Sequence, residues 1–147
     1  MTESNTIMKI ITDQIILSTK GHTDIVDVTP EVESILAVSG LKDGTVIVFV
    51  CGSTAGVTTI EYEPGLLKDL PDVFEKIAPA NRPYHHNETW GDGNGFSHVR
   101  AALLGCSVTI PFKDGKLMLG TWQQVVVIDF DNRSRQRKII VQITGDV

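Results

Sequence analysis

Strand-forming segments rich in β-branched residues bracket a helical middle in this chain, and that distribution constrains the fold more than any single motif. IMKIITDQIILS, residues 7–18, mixes β-branched with polar residues and lacks Gly or Pro, which reads as a long half-buried strand. HTDIVDV follows Gly21 and suggests a second strand, paired with the first through a turn at Lys20 and Gly21. VIVFV, entered through Lys42-Asp43-Gly44-Thr45, is the continuous apolar run of a central strand buried on both faces. GVTTIEYE, residues 56–63, alternates as a further strand and stops at Pro64-Gly65.

Helices fall between these runs. Thr29-Pro30-Glu31 is a start signal, with a hydroxyl to cap free N–H groups, a preset φ and an acid at the positive dipole end; Gly40 is the stop. Leu66, Leu67, Leu70, Val73, Phe74 and Ile77 recur at helical spacing, and Pro71 should break that stretch and open a second helical piece. Residues 81–97 read as a long polar loop of the kind that carries function, after which Ser97 caps a short helix, HVRAALLG, closed by Gly105. SVTIPF, the KDGK turn, LMLGTWQQVVVIDFD, a turn at Asn132 and RKIIVQITG then follow as an antiparallel meander. At 147 residues, 41% hydrophobic and 21% charged, the whole suits one α+β domain spanning 1–147, with residues 1–6 as a flexible tail.

A net charge of -5 argues against a general nucleic-acid binder, which needs clustered Lys and Arg to displace counterions. The basic group Arg133, Arg135, Arg137 and Lys138 can hold an anion, although a solvated strand face is the commoner role. No long apolar stretch suggests a leader or a membrane span, and Cys51 and Cys106 form no C-x-x-C pair, so a reduced cytoplasmic setting is expected. Both thiols sit beside apolar runs, where a small buried hydrophobe is the usual role.

Chemistry-bearing residues concentrate around three histidines, His85, His86 and His98, whose spacing fits no common zinc motif. At the first helical position after Ser97, His98 meets unpaired N–H groups and a positive dipole, which lower its proton affinity. A neutral imidazole there can bind a metal, take a proton or sit beside an anion, and Arg100 in the same turn can add charge. A metal would need a third ligand such as Glu61. CGSTAG, residues 51–56, offers small residues with two hydroxyls, Ser53 and Thr54, where a ligand can approach backbone; it is not a Walker loop. Glu61 on its strand and Gln123 after Trp122 need partners if buried, and can equally orient a ligand.

STAGVTTIE, YHHN, SHVRAALLG, IPFKDGKLMLGTWQ and the late Arg-rich strand, taken in that order, closely resemble the YjbQ-like family over most of the chain. The resemblance implies a β-sandwich-like or barrel-like, mainly antiparallel core with a few helices, assembled as a homotrimer with polar pockets near subunit boundaries. It implies catalytic roles for His86, His98 and Glu61, and ligand contacts from Ser53, Thr54, Asn87, Trp122, Gln123 and Arg137. A divalent metal, zinc or magnesium, would sit on His86 and His98. Family members carry the label secondary thiamine-phosphate synthase, so a small enzyme acting on a phosphorylated small molecule is the expected function. A metal-dependent hydrolase using Glu61 and a non-enzymatic trimeric ligand-binding protein are the alternatives. Bacterial members place a histidine in the segment where this chain has Gly52.

Overall fold

The computed structural model describes residues 5–147. Its elements run β1 (Met8–Thr19), β2 (Asp24–Asp27), α1 (Thr29–Ser39), β3 (Gly44–Cys51), β4 (Ala55–Ile60), α2 (Leu66–Ile77), α3 (His85–Trp90), α4 (Gly95–Leu104), β5 (Ser107–Lys113), β6 (Lys116–Leu117), β7 (Gln124–Asp129) and β8 (Arg135–Asp146). The strands form two antiparallel sheets, β1-β8-β3-β5-β6 and β2-β7-β4, which curl into a half-barrel with helices packed around it, the α+β architecture expected. Of the anticipated tail, residues 1–4 lie outside the described residues, and Asn5 and Thr6 have no regular structure. No helix among the described residues is long and apolar enough to cross a membrane.

Binary patterning explains the layers. In β3, Val46, Val48 and Val50 are fully buried, while Ile47 and Phe49 face outward and are 36% and 38% exposed. The expectation of burial on both faces is therefore corrected: β3 is central within its sheet, but among the described residues nothing covers its outer face. The doubly buried strand is β7. Val125 and Val127 enter the core between the sheets, with Val141, Ile143 and the α1 residues Val32 and Leu36, whereas Val126 and Ile128 meet Phe74 of α2 and Ala101 of α4. Each such side chain contributes about 1.5–3 kcal/mol on burial, so β7 carries two cores at once.

Several local expectations are revised. The strand at Asp24–Asp27 forms, but it pairs with β7 and not with β1, whose partner is β8. Gly21, His22 and Thr23 all have positive φ, and the His22 N–H donates to the Asp131 carbonyl at 2.7 Å, so the chain is turned away from a hairpin and into the other sheet. Likewise β7 and β8 lie in different sheets, and the expected meander ends after the β5–β6 hairpin.

Thr29 does not cap α1: Val28 is the cap residue, and the Thr29 hydroxyl accepts the Val125 N–H at 2.8 Å. Pro71 lies inside an unbroken α2, because Leu67, Leu70 and Phe74 on either side of it dock on one apolar core and offset the lost hydrogen bond. The polar loop contains α3, and α4 begins two residues before Ser97. Both cysteines are exposed and free, Cys51 on the outward-facing side of β3 and Cys106 just after α4, so neither is the buried hydrophobe expected.

Candidate functional site

Two carboxylates end the doubly buried strand, and the site is built on them. Asp129 and Asp131 have no solvent exposure, and buried charge persists only where it is paired and hydrogen-bonded. Arg137 of β8 forks onto Asp129, with Nε at 2.7 Å and Nη2 at 2.8 Å, and the Thr19 hydroxyl also donates to that carboxylate. Asp131 accepts from Arg135 Nε at 2.7 Å, the Thr54 hydroxyl at 3.0 Å, the Asn132 N–H at 2.8 Å and Asn94 Nδ2 at 3.3 Å. Burial alone would raise both carboxyl pKa values, but these donors outweigh it and hold both below the ordinary 3.8.

Arg137 is thus no solvated strand residue, which corrects the reading of the basic cluster; Arg135 is half-buried and Arg133 and Lys138 are exposed. Its Nη2 also donates to Thr54 Oγ1 at 2.6 Å, so Thr54 is buried within the network and does not face a ligand. Nη1 alone makes no hydrogen bond within the described residues. It lies 2.7 Å from where a Cβ on Gly52 would stand. Among the described residues no buried side-chain nitrogen or oxygen lacks a partner, so this arm reaches solvent past Gly52.

The two histidines lie side by side. His86 of α3 and His98 of α4 have ring centroids 4.2 Å apart, inclined at 47°. The helix geometry differs from expectation, since Asn94 is the N-cap and its carbonyl accepts both the Ser97 and His98 N–H groups. Ser97 lies inside the helix, buried, with its hydroxyl donating to the Phe130 carbonyl. The unpaired N–H groups expected beside His98 are therefore absent. Its proton affinity is nevertheless lowered from 6.5, first by burial and then by the neighbouring His86, with Asp131 and Asp92 pulling the other way. Arg100 is buried and turned from the pair: Nη2 meets Glu75 at 2.6 Å and Nε the Ala78 carbonyl at 2.9 Å, clamping α4 to α2.

The lowered His98 affinity gives stability a pH dependence. Unfolded, the imidazole protonates near 6.5; folded, it resists until lower pH, so between the two values the unfolded chain binds more protons and stability falls on acidification. Thermal midpoints measured from about pH 7.5 down to 5 should show this decline, and it should flatten in His98→Asn. An unchanged slope in that variant would assign the titration elsewhere.

A cleft of about 460 Å³ lies between the 51–55 turn and α4, with Gly52, Ser53, His98, Ala101, Ala102 and Cys106 among its walls. Ser53 is exposed there. Asn87 is committed locally, its Oδ1 accepting the Gly95 N–H at 2.9 Å at the start of α4. Glu61, Trp122 and Gln123 stand elsewhere. Ala55 pairs with Asp129 and Ile60 with Gln124, so they lie at the far end of β4 and β7, roughly 20 Å away along the strands. Glu61 follows β4 instead of lying on it and is exposed; Trp122 is 71% exposed, and Gln123 Nε2 donates to Thr59 at 2.9 Å. One chain does not bring them to the histidines.

The donor set also falls short of a metal site. Among the described residues no three His, Cys, Asp or Glu side chains gather to hold an ion, and His86 Nε2 faces Asn94 Oδ1 at 3.1 Å. Within one chain the two imidazoles supply only two of the three or four protein ligands that zinc takes. The residues that sequence reasoning missed are Asp129, Asp131 and Asn94. A signal existed for the acids, because Asp-x-Asp closing the apolar run VVVI demands buried cations.

Comparison with known proteins places this geometry among relatives. A family model described as UPF0047 protein YjbQ-like matches residues 13–146. A UPF0047 protein of Methanocaldococcus jannaschii is 37% identical over 131 residues, 88% of this chain and 91% of that protein. A solved structure from Sulfolobus solfataricus, described as a YbjQ-like protein of unknown function, is 35% identical, covers 95% of this chain and 99% of its own, and superposes with a TM-score of 0.90. A hypothetical protein of Aeropyrum pernix is 30% identical, covers 92% and 98%, and has a TM-score of 0.86.

Proposed function

The chain belongs to the YjbQ-like UPF0047 family, and on that premise we propose that it is a small enzyme acting on a phosphorylated small molecule, in the manner of a thiamine-phosphate synthase. One observation carries this. The guanidinium of Arg137 is anchored by Asp129 and Thr54 through two of its nitrogens and leaves Nη1 open at Gly52, on the wall of the cleft that holds His98. A rigid cationic donor behind Gly52, which lines the same cleft as an imidazole, suits a phosphate or diphosphate, whose oxygens take charge-assisted hydrogen bonds. In the coupling reaction the C–O bond to diphosphate breaks, the thiazole nitrogen forms the new C–N bond, and inorganic pyrophosphate leaves with the charge that Nη1 and an imidazole N–H stabilise by hydrogen bonding.

A homotrimer forms part of the proposal, supported by the uncovered outer face of the larger sheet, where Ile10, Ile16, Ile47 and Phe49 are exposed. Glu61, Trp122 and Gln123 then act only where a neighbouring copy brings them to a cleft. Free, exposed thiols at Cys51 and Cys106 fit a reducing cytoplasm. Hydrolysis by a metal with Glu61 gains no support, since Glu61 is remote from the histidine pair within the chain.

The test is calorimetric titration with inorganic pyrophosphate, alongside product detection with the pyrimidine diphosphate and thiazole phosphate. Gly52→Ala sets a Cβ 2.7 Å from Nη1, the one guanidinium nitrogen outside the hydrogen bonds to Asp129 and Thr54, so the fold should persist. Losing one charge-assisted hydrogen bond should still weaken pyrophosphate binding about tenfold or more. His86→Ala/His98→Ala should abolish turnover. Equal turnover by the double variant would remove the assigned site, and binding without turnover would leave a ligand-binding protein.

A further inference from the structure

We propose that Asn94 is a positioning residue that fixes the tautomer of His86, putting the proton on Nε2 and leaving Nδ1 as the nitrogen that accepts a proton or meets a ligand. Asn94 is 4% exposed and lies between α3 and α4. Its Nδ2 faces Asp131 Oδ1 at 3.3 Å and its Oδ1 faces His86 Nε2 at 3.1 Å. Asp131 is buried and bonded to Arg135, so it is an ionised acceptor that cannot donate. The amide must therefore present its NH₂ to Asp131, which turns its carbonyl toward the imidazole. A carbonyl cannot donate either, so the contact is a hydrogen bond only when His86 Nε2 carries the hydrogen. Asp92 Oδ1, at 3.7 Å from the same nitrogen, is a second acceptor on that side.

The same residue holds the other histidine through its backbone, since its carbonyl accepts the His98 N–H at 3.3 Å as the N-cap of α4. One buried asparagine thus joins the His86 ring and the His98 backbone to Asp131, just beyond the end of β7. The inference rests on the histidine pair invoked above, but not on which ligand the cleft takes.

Long-range ¹H–¹⁵N correlation spectra of ¹⁵N-histidine-labelled protein at about pH 8, above the ordinary histidine range, decide it. His86→Gln assigns the signals, and His85, whose side chain is fully exposed, gives the tautomer ratio of an unheld imidazole once Glu88→Ala removes the carboxylate 3.7 Å from its Nδ1. In the wild type, His86 should be protonated at Nε2 more completely than His85, with a slowly exchanging Nε2 proton. Asn94→Ala should bring the ratio to that of His85 and lose the slow proton, whereas Asp92→Ala should leave both in place. Protonation at Nδ1 in the wild type overturns the proposal whether or not any variant folds. So does an Asn94→Ala spectrum unchanged from wild type, or release of the tautomer by Asp92→Ala alone. Pyrophosphate titrated into the same samples keeps the outcomes separate, because absent binding contradicts the proposed function and leaves the tautomer result standing.

Discussion

Arg137→Ala should destabilise the protein by about 3–5 kcal/mol, the cost of removing one partner from a buried ion pair. For a chain of this size that lowers the thermal midpoint by roughly 10–15 °C. Asp129 would keep the Thr19 hydroxyl and the Asp131 N–H but lose both arms of its guanidinium fork, with no route to water at 0% exposure. Arg137→Lys should recover only part of the loss, because a point ammonium cannot make the paired contacts of Nε and Nη2. Acid titration adds a signature. Both carboxyls are held below 3.8 when folded, so their contribution is complete above that value and is lost as pH falls through the depressed range. Without Arg137 the onset of acid unfolding should move to higher pH. A loss under about 1 kcal/mol by circular dichroism, the scale of an exposed pair, would show that the network is not desolvated as described.

Phe130→Ala should cost a similar amount, about 3–5 kcal/mol for truncating a fully buried aromatic. Phe130 is unexposed, meets Phe74 edge-on with centroids 4.7 Å apart, and stands between the two network carboxylates in sequence. Its carbonyl receives the Ser97 hydroxyl, so it is also a tether for α4. The variant keeps that carbonyl but loses the ring that packs with Ala101 of α4 and Phe74 of α2, so hydrogen exchange should quicken in these helices more than in β3 or β8, separating this loss from a uniform one. Phe130→Leu, which keeps most of the volume, should cost far less. An alanine variant that melts at the wild-type temperature would mean that the second core adds little to stability.

Much of the fold was legible because burial writes itself into alternation. The long first strand, the helix ending at Gly40, the KDGK hairpin and the final strand follow directly from period and punctuation. Strand partners did not, since β1 and β8, or β2 and β7, have no local signal that joins them across the chain. VIVFV misled for a related reason: a sheet face left uncovered within one chain can be as apolar as its core. Of the site, the meeting of His86 and His98 followed from their polar segment and the family resemblance, while Arg137 looked like surface charge until its buried acids were placed. Asn94 carried no sequence mark at all. Its role depends on three groups supplied by a helix, a strand end and its own backbone, which come together only in three dimensions.

The place of β8 governs how the molecule can assemble. It sits between β1 and β3, the sheet's first two strands in chain order, and matches β1 residue for residue from Thr19 opposite Arg135 to Met8 opposite Asp146. A ribosome must therefore release nearly the whole polypeptide before the larger sheet can close, and the first strand waits unpaired with its apolar residues exposed. Such non-local pairing makes for slow folding and an aggregation-prone nascent chain. The same insertion also delivers Arg137 to Asp129, so the charged centre forms only when the sheet does.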